Sequence, residues 1–171
     1  AVPSLILSQQ DILKLLDLKA LMPIFTEGFI QQNSTAVSAQ RVRLSLPVTG
    51  SSAMVLLPGL LTGIPAYSVK VNAKFPETQP AIKGLVQLFD LYTGELLALL
   101  DSGVLTAIRT GVAAALGTHS LALASASRVA IIGAGRQARW LLRSLATLRR
   151  IEEVFIYDTQ PFASGRFAAD M

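Results

Sequence analysis

The sequence predicts an α/β protein built from two parts. Over residues 1–124, two helical stretches are followed by runs in which polar and apolar residues alternate, which is typical of an α+β domain with a mainly antiparallel sheet. Over residues 125–171 the pattern changes to strand, glycine turn, helix and strand, which indicates the opening of a parallel β-α-β unit. We therefore place a domain boundary near residue 124.

Two helices are predicted at the start of the chain. Ser8 and Asp11 have the spacing of a capping box, in which side chains satisfy free N–H groups of the first helical turn, and apolar residues follow at helical spacing. A second helical stretch runs from about residue 18 to residue 32. After it, the apolar residues change from helical spacing to alternation.

The alternating region predicts five strands, at residues 40–46, 53–57, 64–75, 85–90 and 95–100. Arg41 and Lys70 lie on the polar faces of the first and third of these strands, and we expect the first strand to be half-buried. Pro58 and Gly59 are expected to end the second strand. The turn that contains Gly94 is predicted to join the last two strands as a hairpin.

A long helix of small residues follows, from about residue 103 to residue 123, and Asp101 or Ser102 can cap it. Arg109 is the only charged residue in its interior. We expect a buried arginine at this position to need an anionic partner. The neighbours on its face are small enough to leave room for a ligand carboxylate or phosphate: they are Thr106, Thr110 and Ala113.

The second part carries a glycine motif in a specific context. Residues 128–132 have the pattern of a buried strand, residues 133–138 read GAGRQA and fit G-x-G-x-x-A, and an amphipathic helix follows. In this motif Gly133 permits the tight turn, Gly135 lets backbone N–H groups approach a pyrophosphate, and Ala138 allows the helix to pack closely on the strand. The helix N-terminus then meets the phosphate charge. We interpret this part as the start of a Rossmann dinucleotide-binding domain.

A second strand, at residues 153–157, ends in Asp158, 23 residues after Gly135. A carboxylate at this place can accept hydrogen bonds from the adenosine ribose hydroxyls, and it would repel a 2′-phosphate. The sequence therefore favours NAD over NADP as the cofactor. The predicted cofactor-binding residues of this part are Gly133, Ala134, Gly135, Arg136, Gln137, Asp158 and Thr159.

The composition is poor in charge for a small globular protein. Apolar residues make up 51% of the 171 residues and charged residues 15%, so we expect either a large apolar interface between subunits or more protein after residue 171. The chain has no cysteine, which excludes disulfides, thiolate metal sites and a cysteine nucleophile. The start does not resemble a signal peptide, and no apolar run is long enough to span a bilayer. We expect a cytoplasmic protein without a membrane partner.

The net charge is +4, and much of the positive excess is arginine after residue 127. These arginines are Arg128, Arg136, Arg139, Arg143, Arg149, Arg150 and Arg166. Such a cluster could bind nucleic acid, but no recognition motif accompanies it, and it lies on and around one amphipathic helix. We interpret it as a solvated helix face and expect no nucleic-acid partner.

Several runs resemble the ornithine cyclodeaminase/mu-crystallin family. They are KVNAKFP at residues 70–76, KGLVQLFD at 83–90, TGELLALLD at 93–101, LTAIRT at 105–110 and IIGAGRQA at 131–138. The resemblance covers almost the whole chain in the family's order. It implies hydride transfer between a nicotinamide and the α-carbon of an amino acid or its imine.

The resemblance also implies roles for individual residues. Arg41 and Arg109 would clamp the substrate carboxylate, and Lys70 would sit beside the reacting carbon as proton shuttle or electrostatic partner. Thr110 and the glycine turn would hold the cofactor phosphates. The first part would bind the amino-acid or imino-acid substrate and form a homodimer, and no metal site is expected.

Departures from the family pattern, such as Ala81 and Gly111, leave the substrate more open than the fold. The leading hypothesis is an NAD-dependent conversion of L-ornithine to L-proline and ammonia through an imine. Alternatives are a ketimine reductase or amino-acid dehydrogenase, and a non-catalytic ligand-binding protein like the crystallin members. Family members are roughly twice this length, so we expect a truncated or partly represented protein that does not turn over substrate by itself.

Overall fold

The computed structural model describes residues 3–34, 40–48 and 51–171. The predicted mixture of helices with a mainly antiparallel sheet is confirmed. Its elements in chain order are β1 (Leu5–Leu7), α1 (Gln9–Leu15), α2 (Leu18–Ser34), β2 (Val42–Ser45), β3 (Ala53–Leu60), β4 (Ala66–Lys74), β5 (Ile82–Asp90), β6 (Leu96–Asp101), α3 (Ser102–Leu121), β7 (Arg128–Ile132), α4 (Arg136–Leu148), β8 (Glu153–Tyr157) and α5 (Ala163–Asp170).

The chain divides into two compact units. The first unit contains the residues up to Leu16 together with Glu27–Leu105, and the second contains Asp17–Thr26 together with Thr106–Met171. The sequence places a boundary near residue 124, whereas this division falls inside α3, and the part of α3 assigned to the second unit contacts α4 at Gly111. Within the described residues, no helix combines the length and the apolar character needed to cross a membrane.

The first unit is built on a six-stranded sheet in the order β1-β6-β5-β4-β3-β2. The neighbours from β2 to β6 are antiparallel, whereas β1 pairs in parallel with β6. The sequence did not predict β1, since three residues are too few for alternation to be recognised. The pairing of β5 with β6 confirms the predicted hairpin.

Strand β3 corrects the expectation that Pro58 and Gly59 end it, because the strand continues to Leu60. The pairing of β2 with β3 stops at Leu56, so only β4 pairs with the later residues of β3. Proline lacks an N–H and is tolerated in strands where one edge is open. The expectation that β2 is half-buried was also wrong: all four residues of this edge strand are exposed.

The predicted helix caps are present in the structure. The Ser8 side chain accepts a hydrogen bond from the Asp11 N–H, and the Asp11 carboxylate accepts one from the Ser8 N–H, which completes the capping box. At the start of α3, the Val104 N–H donates to Asp101 Oδ1 at 3.0 Å. Asp101 is therefore the capping side chain of the two candidates.

In the second unit, β7 and β8 form a two-stranded parallel sheet with α4 and α5 packed on one face. One buried apolar cluster of this unit consists of Ile131, Ala134, Leu142 and Phe167. On the other face, the Ile132 side chain is 88% exposed and that of Tyr157 is 64% exposed. Parallel sheets ordinarily have both faces covered, so this sheet presents one uncovered apolar face.

Helices α3 and α4 approach closely at Gly111. A Cβ added to Gly111 would lie 2.5 Å from the Trp140 Cβ and 2.7 Å from the Leu141 nitrogen. Backbone atoms of α4 cannot move aside without shifting the helix, so only glycine fits here. Gly117, two turns later on α3, has nothing within 4 Å of such a Cβ.

We expect Gly111→Ala to lower the free energy of unfolding by about 1–3 kcal/mol, because the new methyl group overlaps α4. The matched control is Gly117→Ala, which adds the same methyl group to the same helix in open space. It should raise the free energy of unfolding by about 1 kcal/mol, the helix preference of alanine over glycine. Urea unfolding followed by circular dichroism measures both, and equal effects would contradict the close approach.

Candidate functional site

The glycine turn begins directly after β7. Gly133 has a φ of 100°, in the left-handed region where glycine is favoured. Its N–H donates to the Tyr157 carbonyl at 2.7 Å, which extends the pairing of β7 with β8 by one residue. The chain then reverses through Ala134 and Gly135 into α4, which begins at Arg136.

Ala134 is held on both sides. Its N–H donates to Asp158 Oδ2 at 2.7 Å, and its carbonyl accepts a hydrogen bond from the Arg139 guanidinium at 2.5 Å. The other carboxylate oxygen, Asp158 Oδ1, accepts the Gln160 N–H at 2.8 Å. The turn and the end of β8 are therefore joined through one carboxylate.

These bonds also set the charge of Asp158. Hydrogen bonds donated by the Ala134 N–H and then by the Gln160 N–H lower the pKa of the Asp158 carboxyl below its ordinary value of 3.8, although partial desolvation opposes them. Each carboxylate oxygen has further lone pairs, so the ionised group can still accept hydrogen bonds from the hydroxyls of a ribose.

The space in front of α4 fits a phosphate group. Gly135 has an extended backbone, with φ at −78° and ψ at −176°, which any residue can adopt. A Cβ added to it would meet nothing within 4 Å, and no side chain caps the first turn of α4. Nothing in the protein therefore requires glycine at position 135. Close approach of a ligand to backbone N–H groups at a helix N-terminus would require it.

A cleft of about 360 Å³ opens beside the turn. It is lined by Thr110, Gly111, Ala114, Ile131, Ile132, Gly133, Gly135, Gln137, Ala138 and Leu141. The structure thus brings Thr110 on α3 together with the glycine turn and Gln137 on α4. The Thr110 hydroxyl donates to the Thr106 carbonyl at 2.6 Å, so it must turn away from that carbonyl to donate to a phosphate.

Arg136 and Thr159, predicted from the motif, are exposed residues that are not among those lining this cleft. The prediction that Arg109 is buried was wrong. The sequence suggested a buried charge, whereas the described structure leaves Arg109 exposed, one turn along α3 from the buried Thr106. Its charge is hydrated, so burial no longer argues for an anionic partner. A role in binding a substrate carboxylate stays a prediction.

The other two substrate candidates belong to the first unit. Lys70 is half-buried on β4, where Leu57 on β3 and Val86 on β5 are its cross-strand partners. Arg41 is exposed and directly precedes β2. Among the described residues, there is no group of three or more histidine, aspartate or glutamate side chains that could hold a metal ion.

Sequence reasoning missed Arg139, which was assigned to a solvated helix face. Its guanidinium pairs with the Asp170 carboxylate at 3.0 Å and lies over the Phe167 ring, 5.1 Å from the centroid. Arg149 likewise donates to two backbone carbonyls of the segment before β7. The arginine that follows G-x-G-x-x-A directly was a signal in the sequence, but only the position of α5 shows what it contacts.

A parallel strand, a glycine turn, a helix and a second strand closed by a carboxylate define a Rossmann-type nucleotide-binding protein. The chain belongs to the ornithine cyclodeaminase/mu-crystallin family, whose family model matches residues 3–171.

Among curated proteins, the chain is similar to a Delta(1)-pyrroline-2-carboxylate reductase of Bacillus cereus. The two are 33% identical over 144 residues, which is 81% of this chain and 44% of the relative. L-lysine cyclodeaminase of Streptomyces rapamycinicus is 36% identical over 89 residues, which is 52% of this chain and 26% of the relative. The chain thus spans less than half the length of these relatives.

Two solved structures share the fold. Thermococcus litoralis Delta(1)-pyrroline-2-carboxylate reductase, in complex with NADH and L-proline, matches with a TM-score of 0.89 and 29% identity over 97% of this chain and 53% of that protein. An archaeal alanine dehydrogenase dimer with bound NAD matches with a TM-score of 0.88 and 26% identity over 98% of this chain and 52% of that protein.

The lowered pKa of Asp158 predicts a pH-dependent contribution to stability. Because the folded-state pKa lies below the unfolded value of about 3.8, the contribution is fully present above that value and is lost as the pH falls through the folded pKa. The variant Asp158→Asn keeps one acceptor oxygen and lacks the charge. We expect wild type to be the more stable at pH 7, and this advantage to shrink below about pH 3.8.

Urea unfolding of both proteins across the acid range measures the difference. The control Glu153→Gln removes one negative charge from β8, the strand that Asp158 follows, and so reports the effect of net charge alone. An advantage of wild type over Asp158→Asn that is the same at pH 7 and at acid pH would contradict the hydrogen-bonded role of Asp158.

Proposed function

We propose that this chain is the coenzyme-binding and substrate-binding portion of an NAD(H)-dependent enzyme that reduces a cyclic imino acid of the pyrroline-2-carboxylate type to the amino acid. The observation that carries the proposal is the glycine turn closed by the Asp158 carboxylate beside an open cleft. Similarity to Delta(1)-pyrroline-2-carboxylate reductases supports the choice of substrate class.

The coenzyme is assigned to the second unit. The backbone from Gly133 to Gly135 and the N-terminus of α4 hold the pyrophosphate. The Asp158 carboxylate accepts hydrogen bonds from the ribose hydroxyls, and Thr110 turns its hydroxyl towards a phosphate. Arg136, Gln137 and Thr159 complete the proposed set from the exposed rim. A bound nicotinamide supplies the hydride for the reaction.

The substrate is assigned to Arg41, Lys70 and Arg109. The two arginines bind the carboxylate, which presents its neighbouring imine carbon to the hydride donor. As hydride is added to carbon, the imine nitrogen gains a proton, and the Lys70 ammonium donates it. The position of Lys70 supports this role: it is half-buried in the middle of β4, with Leu57 and Val86 as its cross-strand partners.

The sheet register supports a common site for Arg41 and Lys70. Val42 is opposite Leu56, so one further residue of extended chain would bring Arg41 opposite Leu57, whose partner on the other side is Lys70. Cross-strand partners share a face of the sheet. Two strand spacings separate the backbones by about 10 Å, a distance that two long basic side chains can close around one small carboxylate substrate.

A second candidate function is ornithine cyclodeamination, in which L-ornithine gives L-proline and ammonia. Similarity to L-lysine cyclodeaminase favours it over unrelated chemistries. Both reactions pass through an imine next to a carboxylate, so the same three basic residues serve either one. The difference is that cyclodeamination also oxidises the amino acid to the imine before reducing it again.

We also propose that the protein is a homodimer through the first unit. The edge strands of its sheet expose large apolar side chains: Leu5 is 58% exposed and Ile6 79% on β1, and Val42 is 55% exposed and Leu44 56% on β2. Exposed apolar surface of this kind is usual at subunit interfaces. Sedimentation analysis tests the proposal, and a monomer at all concentrations would contradict it.

The two reactions are separated by two assays. Both are run on the whole enzyme of which this chain is the proposed portion. NADH and the cyclic imine of proline should give NADH oxidation and proline, whereas NAD and L-ornithine should give ammonia. Formation of proline from the cyclic imine supports the reductase, and release of ammonia from L-ornithine supports the cyclodeaminase. Binding of NADH without either reaction would favour a non-catalytic ligand-binding protein and overturn the proposed activity.

In the whole enzyme, Lys70→Met should lower the rate of imine reduction by about 10²-fold or more, because the proton donor is lost while the chain length of the residue is kept. The matched control is Lys74→Met, on the same face of β4 and exposed at its end. It should leave the rate within about twofold of wild type. An equal loss in the two variants would contradict the assignment of Lys70.

Asp158→Ser should weaken NADH binding more than NADPH binding, because it removes an acceptor for the ribose hydroxyls and a charge that repels a 2′-phosphate. Titration of each coenzyme, followed by its fluorescence, gives the ratio of the two dissociation constants. If that ratio is the same in the variant and in wild type, the assignment of NAD rather than NADP is wrong.

A further inference from the structure

All three nitrogens of the Arg139 guanidinium group donate hydrogen bonds. One terminal nitrogen donates to the Ala134 carbonyl at 2.5 Å, and Nε and the other terminal nitrogen both donate to Asp170 Oδ2, at 3.2 and 3.0 Å. The plane lies over the ring of Phe167, which is 1% exposed and belongs to the core. Contacts with Asp170 and Phe167 of α5 therefore fix the position of the guanidinium group that bonds the glycine turn.

The Ala134 carbonyl that Arg139 holds belongs to the same peptide group as the Gly135 N–H. A trans peptide group is planar, and its C=O and N–H point in opposite directions. Holding the carbonyl on the Arg139 side therefore turns the Gly135 N–H away from it. Gly135 lines the cleft beside the turn, so the direction of this N–H decides how well it can meet a phosphate.

The preceding peptide group is fixed from the other side. Its N–H, that of Ala134, donates to Asp158 at 2.7 Å. Two consecutive peptide groups of the turn thus have their orientations set by side chains, one by a carboxylate at the end of β8 and one by a guanidinium on α4. Gly133 and Gly135 would otherwise let this short segment take many conformations.

We propose that Arg139 is a positioning residue for the coenzyme. It orients the Ala134–Gly135 peptide group so that the Gly135 N–H is ready for the pyrophosphate, and α5 supports it through Asp170 and Phe167. The inference rests on the proposed function, in which this turn binds the coenzyme. Lysine cannot replace arginine here, because a single ammonium group cannot stack on the ring and bond two separate acceptors in fixed directions.

The test compares Arg139→Ala and Arg139→Lys with Arg143→Ala. Arg143 lies one turn further on α4 and stacks on Trp140 at 5.4 Å, so its variant also removes an arginine–ring contact from the same helix. We expect both Arg139 variants to bind NADH about tenfold or more weakly, a change of the size that one charged hydrogen bond within the protein contributes. Arg143→Ala should bind NADH within about twofold of wild type.

Hydrogen exchange of the ligand-free chain separates positioning from general stability. Loss of the bond to the Ala134 carbonyl should loosen the whole turn, so the neighbouring Ala134 amide, which is bonded to Asp158, should exchange about tenfold faster in the Arg139 variants. The amides of β7 and β8 should keep their wild-type rates. A uniform increase over the second unit with unchanged NADH affinity would show a merely structural role and overturn the inference. Equal effects in Arg143→Ala would do the same.

If the wild-type chain does not bind NADH, the proposed function fails, and exchange at Ala134 still decides whether Arg139 holds the turn. If wild type binds NADH and the Arg139 variants bind it equally well with unchanged exchange at Ala134, the inference fails while the proposed function stands.

Discussion

The hydrogen bond from the Ala134 N–H to the Asp158 carboxylate is the interaction on which the second unit depends. Two parallel strands with five residues each make a small sheet, and an isolated pair of strands is only marginally stable. The carboxylate connects the turn after β7 to the end of β8, and Arg139 connects the same turn to α5. The helices, the sheet and the turn therefore share one set of polar contacts around a single residue.

The predictable parts of the structure are those determined by neighbouring residues. The sequence pattern predicted β7, α4 and β8 because their apolar spacing is local, and the Ser8 cap because it needs only residues three apart. Contacts between distant residues decided the rest. The passage of β3 through Pro58 depends on how far β2 extends, and the role of Arg139 depends on where α5 lies. For the same reason, the exposure of Arg109 could not be derived from its helix alone.

Three glycines of the second unit occupy three different structural environments. Gly133 is required by its own backbone conformation, and Gly111 is required because α4 lies against it. Gly135 satisfies neither condition, since its backbone is ordinary and its surroundings are open. Gly117 also lies in open space, so openness alone does not mark a site. Gly135 differs because it lies at the N-terminus of α4 and lines the cleft beside the turn.

The parallel pairing of β1 with β6 has a consequence for the order in which the first unit folds. The Ser4 hydroxyl bonds the Leu96 carbonyl across 92 residues of sequence, so β1 is synthesised long before its partner strand exists. Contacts of such separation close late, because the loop entropy must be overcome first. The antiparallel strands β3 to β6 pair with their sequence neighbours and can assemble as the chain emerges from the ribosome. Docking of β1 has to wait for β6, and Leu5 and Ile6 stay largely exposed even after the two strands have paired.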